Sequence, residues 1–276
     1  MRKRHVRHEA CGLGRSEWDS PGDPSHAVRL AGTARGAVGH PASGDAPTHT
    51  ARLTIGDWRQ QRACSATLVD ELRLASAASY FTTNDGGQAS AGKPATKVTT
   101  TLSTGQVVTD VELVPRSDRD LVLARLAAPA SDIKGIKRAT ATASAGTELS
   151  TAGFGRTKTA WLPNALHTGA LTVNSTDATT LTISGKGTDS LCKGDTGGPL
   201  LNAGGELTGI NIRSWQGGCL STPTTGTRTD AVSARIDDIS DWVERIILRS
   251  VARRDLNGDG RADAVMVYRH ANTSIG

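Results

Sequence analysis

From about residue 50 onward, the chain is a succession of short segments in which apolar and polar residues alternate, punctuated by Gly, Asn, Asp or Pro. Ala51–Gly56, Ala63–Ala78, Lys97–Leu102, Gln106–Leu113 and Leu121–Leu126 are predicted as β-rich runs, and Asn84-Asp85-Gly86-Gly87 is a turn signal between two of them. A linker of small residues at roughly 127–146 leads to a second set: Glu148–Gly153, Ala165–Val173, Thr179–Ile183, Leu200–Asn202 and Glu206–Ile212. The exception is Ser233–Arg249, where Ile236, Ile239, Trp242, Val243 and Ile246 recur at helical spacing and predict an amphipathic helix with its body at 236–250. Two runs of strands, a linker and a closing helix predict an all-β chain of two packed antiparallel β-barrels with a C-terminal α-helix.

Composition narrows this picture. The 276 residues suffice for one large domain or two small ones, and 37% hydrophobic residues with 31 Gly are globular rather than disordered values. The net charge of +5 comes from basic residues scattered along the chain, so no nucleic-acid partner is expected. No run of about 18 apolar residues predicts a transmembrane helix, and no membrane partner is expected. Met1–Arg7 is basic like the start of a signal peptide, but no apolar run follows, so no signal peptide is recognisable. Residues 1–47 lack any period and read as a disordered leader; a translation start placed too far upstream is the other reading. Of seven His, His5, His8, His26, His40 and His49 precede residue 50. The cysteines are Cys11, Cys64, Cys192 and Cys219, a number that invites disulfides without fixing them.

The most specific string is Cys192-Lys193-Gly194-Asp195-Thr196-Gly197-Gly198-Pro199-Leu200-Leu201. A tight Gly-rich turn of this kind aims successive backbone N–H groups at one point, a nest that stabilises an oxyanion; an ordinary Gly turn is the bland alternative. The whole string resembles the nucleophile loop G-D-S-G-G-P of the chymotrypsin/trypsin-like serine peptidases. Further blocks follow the family's order: Ser76-Ala77-Ala78-Ser79-Tyr80 resembles T-A-A-H-C, Asp120–Leu126 resembles D-I-A-L-L-x-L, Ala152-Gly153-Phe154-Gly155 resembles A-G-W-G, and Ser214-Trp215-Gln216-Gly217-Gly218-Cys219 resembles S-W-G-x-G-C. The resemblance spans roughly residues 48–250. It implies two six-stranded antiparallel barrels, at about 48–128 and 146–235, before the helix.

The family's chemistry needs a hydroxyl nucleophile, an imidazole base and a buried carboxylate that orients the base. By resemblance Asp120 matches the carboxylate, Thr196 stands at the nucleophile position and Ser79 stands where the His belongs. A serine hydroxyl accepts no proton at neutral pH, and losing the His of such a unit removes on the order of 10⁶ in turnover. Within the resembling region the remaining His is His167, in a predicted strand outside every catalytic block; His49 lies at the edge. Thr196 keeps a hydroxyl but adds a methyl at a stiff β-carbon, and as an internal residue it lacks the free α-amine that threonine nucleophiles use. The oxyanion donors implied are the N–H groups of Gly194 and Thr196.

The resemblance also implies a Cys192–Cys219 disulfide. Tyr80 occupies the place of the family's Cys after the catalytic His, which leaves Cys64 and Cys11 without expected partners. Asp195 matches the acid that receives the amine freed on activation, but Ala37-Val38-Gly39-His40 is a poor match to the family's new N-terminus. The implied substrate-binding residues are Ser190 at the pocket floor, Ser214 and Trp215 along the edge that pairs with substrate backbone, and Gln216 in place of a pocket-lining Gly. Asp189 sits one position from the floor.

In the tail, Asp255, Asn257, Asp259 and Asp263 fall at loop positions 1, 3, 5 and 9 with Gly260 at position 6, a donor set that suits Ca²⁺; a polar turn is the alternative. The segment 251–276 resembles one truncated integrin-type (FG-GAP-like) repeat. No cofactor is expected for the peptidase-like domain. The functional expectation is a peptidase-fold protein that binds a peptide or protein ligand without cutting it, as a monomer, extracellular by resemblance. A weakly active serine endopeptidase and a decayed gene fragment are the alternatives.

Overall fold

The computed structural model describes residues 40–41, 47–57, 60–82 and 89–251. It divides into two units, residues 1–238 and 239–276. Most of the predicted leader, Cys11 and the calcium loop at 255–263 lie outside the described residues.

The first unit holds two closed barrels. Barrel one is built from β2 (Thr50–Asp57), β3 (Gln60–Asp70), β4 (Arg73–Ser76), β5 (Val98–Thr101), β6 (Val107–Pro115) and β7 (Val122–Leu126), paired in the ring β2-β3-β4-β7-β6-β5. Barrel two comprises β8 (Glu148–Gly153), β9 (His167–Thr176), β10 (Thr180–Gly185), β11 (Pro199–Leu201), β12 (Leu207–Ser214) and β13 (Asp230–Arg235). Its ring runs β8-β9-β10-β13-β12-β11 and closes through β11–β8. All of these strand pairs are antiparallel, and closure removes the unpaired edges an open sheet would leave. A two-residue strand β1 (His40–Pro41) pairs with the start of β9, so two residues of the stretch read as leader join barrel two.

Alternation is what folds these strands. In β2, Ala51, Leu53 and Ile55 are buried while Arg52 and Thr54 are not; in β10, Leu181 and Ile183 turn inward. With aromatics scarce, the two cores are filled mainly by Leu, Ile, Val and Ala. The segment Ala63–Ala78, expected as one run, is two strands bent at Glu71–Leu72, followed by a 3₁₀ turn at Ala78–Phe81. The predicted helix starts later than expected. Ser233–Arg235 belongs to β13, buried throughout Ala231–Ala234, and the helix α1 occupies Ser240–Val251. Among the described residues no helix is long and apolar enough to cross a membrane.

Barrel two reaches across to β3 of barrel one through a set of buried hydroxyls. The Ser65 N–H donates to the Thr196 carbonyl (3.0 Å), Ser65 Oγ donates to the Gly194 carbonyl (2.8 Å), and the Phe154 N–H donates to Ser65 Oγ (3.0 Å). Thr67 Oγ1 donates to the Gly197 carbonyl (3.2 Å), and Ser76 Oγ to the Ser65 carbonyl (3.1 Å). Ser65, Thr67 and Ser76 are fully buried, so each of these bonds is sheltered from water, where losing a partner is most damaging.

Candidate active-site region

The 192–198 loop is shaped by two left-handed glycines, Gly194 (φ +100°) and Gly197 (φ +86°). At Gly197 a side chain would also fall on the Ser65 carbonyl oxygen and Ser76 Oγ, so only Gly fits. Peptide planarity then sets the direction of the neighbouring donors. The Lys193 carbonyl accepts from the Arg156 N–H (2.9 Å), which turns the Gly194 N–H the opposite way. The Asp195 carbonyl accepts from the Gly198 N–H (3.0 Å), which does the same to the Thr196 N–H. Neither of these two N–H groups has an acceptor among the described residues. Behind the loop, Asn211 donates to Thr151 Oγ1 and accepts from Ser233 Oγ, both at 2.8 Å, and its main chain exchanges hydrogen bonds with Gly197 and Gly198.

Asp195 is fully buried beneath the loop. Its oxygens accept from the Gly155 N–H (2.8 Å) and the Cys192 N–H (2.9 Å), in a space open only because Gly153 and Gly155 have no side chains. Burial pushes its carboxyl up to about 7, against the pull of the two N–H donors. The Cys192–Cys219 disulfide fastens the loop to the segment after β12, with Cα atoms 5.8 Å apart. Cys64 is buried in the core of barrel one.

On barrel one, the 3₁₀ turn after β4 carries Ser79, which is exposed. Asp120, just before β7, meets it twice: Oδ1 accepts from the Ser79 N–H (2.7 Å) and Oδ2 from Ser79 Oγ (2.8 Å). The pairing of Ser76 with Val122 brings the two segments together, and Ser76 also packs at Gly197, so the Ser79 turn and the 192–198 loop flank the same seam between the barrels. Two histidine side chains are described. His167 lies buried in β9, opposite Gly153 on β8; His49 lies at the start of β2, half-buried. Burial lowers both pKa values, and neither hydrogen-bonds Asp120.

Of the residues expected around the pocket, Ser190 is buried with its hydroxyl unpartnered among the described residues, and Ser214 Oγ donates to the Leu191 carbonyl (2.6 Å). Asp189 turns away to accept from the Ala170 N–H (2.8 Å). Trp215 is exposed, with the Arg228 guanidinium 3.8 Å above its ring; Arg228 is also paired with Asp230. Gln216 adopts φ +60°, a left-handed conformation that favours the Gly the resemblance predicts there. Arg213 and Ser214 pair with β13 on one edge, whereas β11 pairing stops at Ile210, so this end of β12 keeps an open edge among the described residues.

The sequence reading missed Ser65, Thr67 and Ser76, which seat the loop, Arg156, whose N–H holds the Lys193 carbonyl, and Arg228, which covers Trp215. The buried hydroxyls at alternate positions 65 and 67 of one strand were the available signal. The expected metal residues Asp255, Asn257, Asp259 and Asp263 lie outside the described residues; within them no group of three His, Cys, Asp or Glu side chains is placed to hold a metal.

The family model described as Trypsin matches residues 37–243. Among solved structures the chain is similar to neuropsin, a serine protease expressed in the limbic system of mouse brain, at 17% identity and a TM-score of 0.57, covering 75% of this chain and 97% of that one. That likeness shows the fold. No curated protein matches. With the family model spanning far more than half of its length, the chain belongs to the trypsin family.

Proposed function

We propose that this chain is a catalytically inactive member of its family that binds a peptide or protein in extended form without cutting it. The observation that carries this reading is the Ser79–Asp120 contact: the carboxylate at the position that would orient a base is occupied by a hydroxyl and an N–H, neither of which takes up a proton at neutral pH. The Thr196 hydroxyl, at the nucleophile position, has no hydrogen bond to a base among the described residues, and its extra methyl crowds approach to a carbonyl.

Binding has support of its own. The open edge of β12 at Arg213 and Ser214 offers unpaired main chain for an extended segment to add as a strand, and the exposed Trp215 face lies beside it. The disulfide fits an extracellular setting. The loop at Asp255, Asn257, Asp259 and Asp263 is a proposed weak Ca²⁺ ligand set, separate from this activity.

The test is chemical. The full chain is incubated with a serine-directed phosphonate that forms a covalent adduct with an activated hydroxyl, and its intact mass is read. No adduct is expected; an adduct mapped to Thr196 overturns the reading.

A further inference from the structure

The segment 154–166, which joins β8 to β9, is fastened on both sides of an apolar tip. On one side Thr157 closes a tight turn: its N–H donates to the Ala160 carbonyl (2.9 Å), and its Oγ1 accepts from the N–H groups of Thr159 (3.1 Å) and Ala160 (2.8 Å). The Thr157 carbonyl in turn accepts from the Leu220 N–H (3.1 Å), next to the disulfide-bonded Cys219. On the other side Pro163 is buried, and its carbonyl accepts from the Arg52 guanidinium of β2 (2.6 Å), which also lies 4.8 Å from the Phe154 ring centre. Between these anchors Trp161 and Leu162 are 55% and 70% exposed. The exposed large apolar residues among those described are Val107, Trp161, Leu162, Trp215 and Leu248, and only Trp161 and Leu162 are neighbours in sequence. Single exposed apolar side chains are ordinary; an adjacent pair held out on a fixed backbone marks a contact surface.

Charge narrows what that surface meets. The segment contains Arg156 and Lys158 and no Asp or Glu. Lys158, beside Gly218, and Arg52 pair with no carboxylate among the described residues. The Arg156 guanidinium lies 4.0 Å from the Trp161 ring centre. The carboxyl in contact with this segment is Asp195, which is fully buried beneath Gly155 and held by the N–H groups of Gly155 and Cys192, so it is not among the exposed groups. A protein partner is a poor fit to so small a tip: the two side chains expose roughly 250 Å² between them, against about 800 Å² on each side of a standard protein interface. A bilayer needs no matching surface. Trp is at home at the level of lipid headgroups, Leu reaches the acyl boundary, and cations behind them meet anionic headgroups. Lying on a bilayer in this way requires no long apolar run. We propose that Trp161 and Leu162 form a wedge that docks this chain reversibly on an anionic phospholipid surface, with Lys158 and Arg52 behind it facing the headgroups. The wedge is distinct from the Ser79–Asp120 contact, and its docking holds whether or not the chain cuts peptides.

The test is co-flotation of the full chain with vesicles of phosphatidylcholine alone and of phosphatidylcholine mixed with phosphatidylserine in equal parts. Partitioning is expected to be at least about tenfold stronger on the mixed vesicles, the scale of two cations at an anionic surface. The double change Trp161→Ala with Leu162→Ala, at two exposed positions, should weaken it by at least about tenfold, and Lys158→Gln severalfold. A second measurement uses mixed vesicles whose acyl chains carry bromine near the headgroup: they should quench part of the wild-type Trp fluorescence, and Trp161→Phe should abolish that part. Absence of flotation with both vesicles overturns the proposal and returns the pair to a protein partner. Equal flotation with both overturns it as well. So does strong flotation that the double change leaves intact, because basic residues elsewhere, Arg2, Lys3 and Arg4 included, then carry the binding. Quenching that persists in Trp161→Phe also overturns it.

Discussion

The 192–198 loop and the Ser79 turn face the same seam but are held in different ways. The loop is buried, stitched to barrel one by Ser65, Thr67 and Ser76, backed by the Asn211 network and fastened by a disulfide. Its carbonyls from Cys192 to Gly198 all accept hydrogen bonds, and its glycines sit where no other residue fits. In the Ser79 turn, Ala78, Tyr80 and Phe81 are buried in the core of barrel one, and Ser79 alone is exposed, its N–H and hydroxyl bonded to a single carboxylate. Substituting the loop disturbs the folding of both barrels, whereas substituting residue 79 disturbs only what happens in solvent. Such a difference lets the fold keep this loop whatever residue stands at position 79.

The comparison is broken most directly from the loop side. Gly197→Ala introduces a side chain into the Ser65 carbonyl at a left-handed φ, and is expected to lower unfolding free energy by more than about 4 kcal/mol, or to prevent folding, in denaturant titration. A milder result would mean that the loop docks more loosely than its contacts indicate.

Asp195 sharpens the same contrast through pH. Its carboxyl is raised to about 7 in the folded chain and is ordinary when unfolded. Between about pH 4 and 7 the unfolded state therefore releases a proton that the folded state retains, and stability falls as pH rises through this window. Asp195→Asn should remove that part of the slope, up to roughly 4 kcal/mol, as read from the difference between wild-type and variant stability curves. Asp110, buried in barrel one against Thr100 and also raised to about 7 mainly by burial, contributes a slope of the same sign that the variant leaves in place. Parallel curves for Asp195→Asn and wild type would contradict the assignment.

The smallest effect belongs to the turn. Ser79→Ala removes one exposed hydrogen bond and should cost about 1 kcal/mol or less in denaturant titration.

The two-barrel plan was legible because barrel strands with one face inward alternate, as Ala51, Leu53 and Ile55 do, and because Gly and Asn mark the turns. β13 escaped because Ala231–Ala234 is buried on both faces and shows no alternation, so its end was absorbed into the helical period that follows. The bend at Glu71–Leu72 escaped because it contains neither Gly nor Pro. The Cys192–Cys219 pairing and the juxtaposition of residues 79 and 120 were readable through ordered motifs. The Ser65 bonds and the Arg228–Trp215 stack were not, since they depend on how separate strands and loops meet in space rather than on any local pattern.

The central claim is that the residues at the base and nucleophile positions, Ser79 and Thr196, and not the fold that carries them, are what prevent cleavage. Hydrolysis of a mixed peptide pool by wild type and by the double variant Ser79→His with Thr196→Ser, followed by mass spectrometry, tests it most directly. The account predicts no cleavage above background by wild type and turnover raised by roughly 10⁴-fold or more over that level in the double variant. Cleavage by wild type that disappears in Thr196→Ala, or a folded double variant that remains inert, would contradict it.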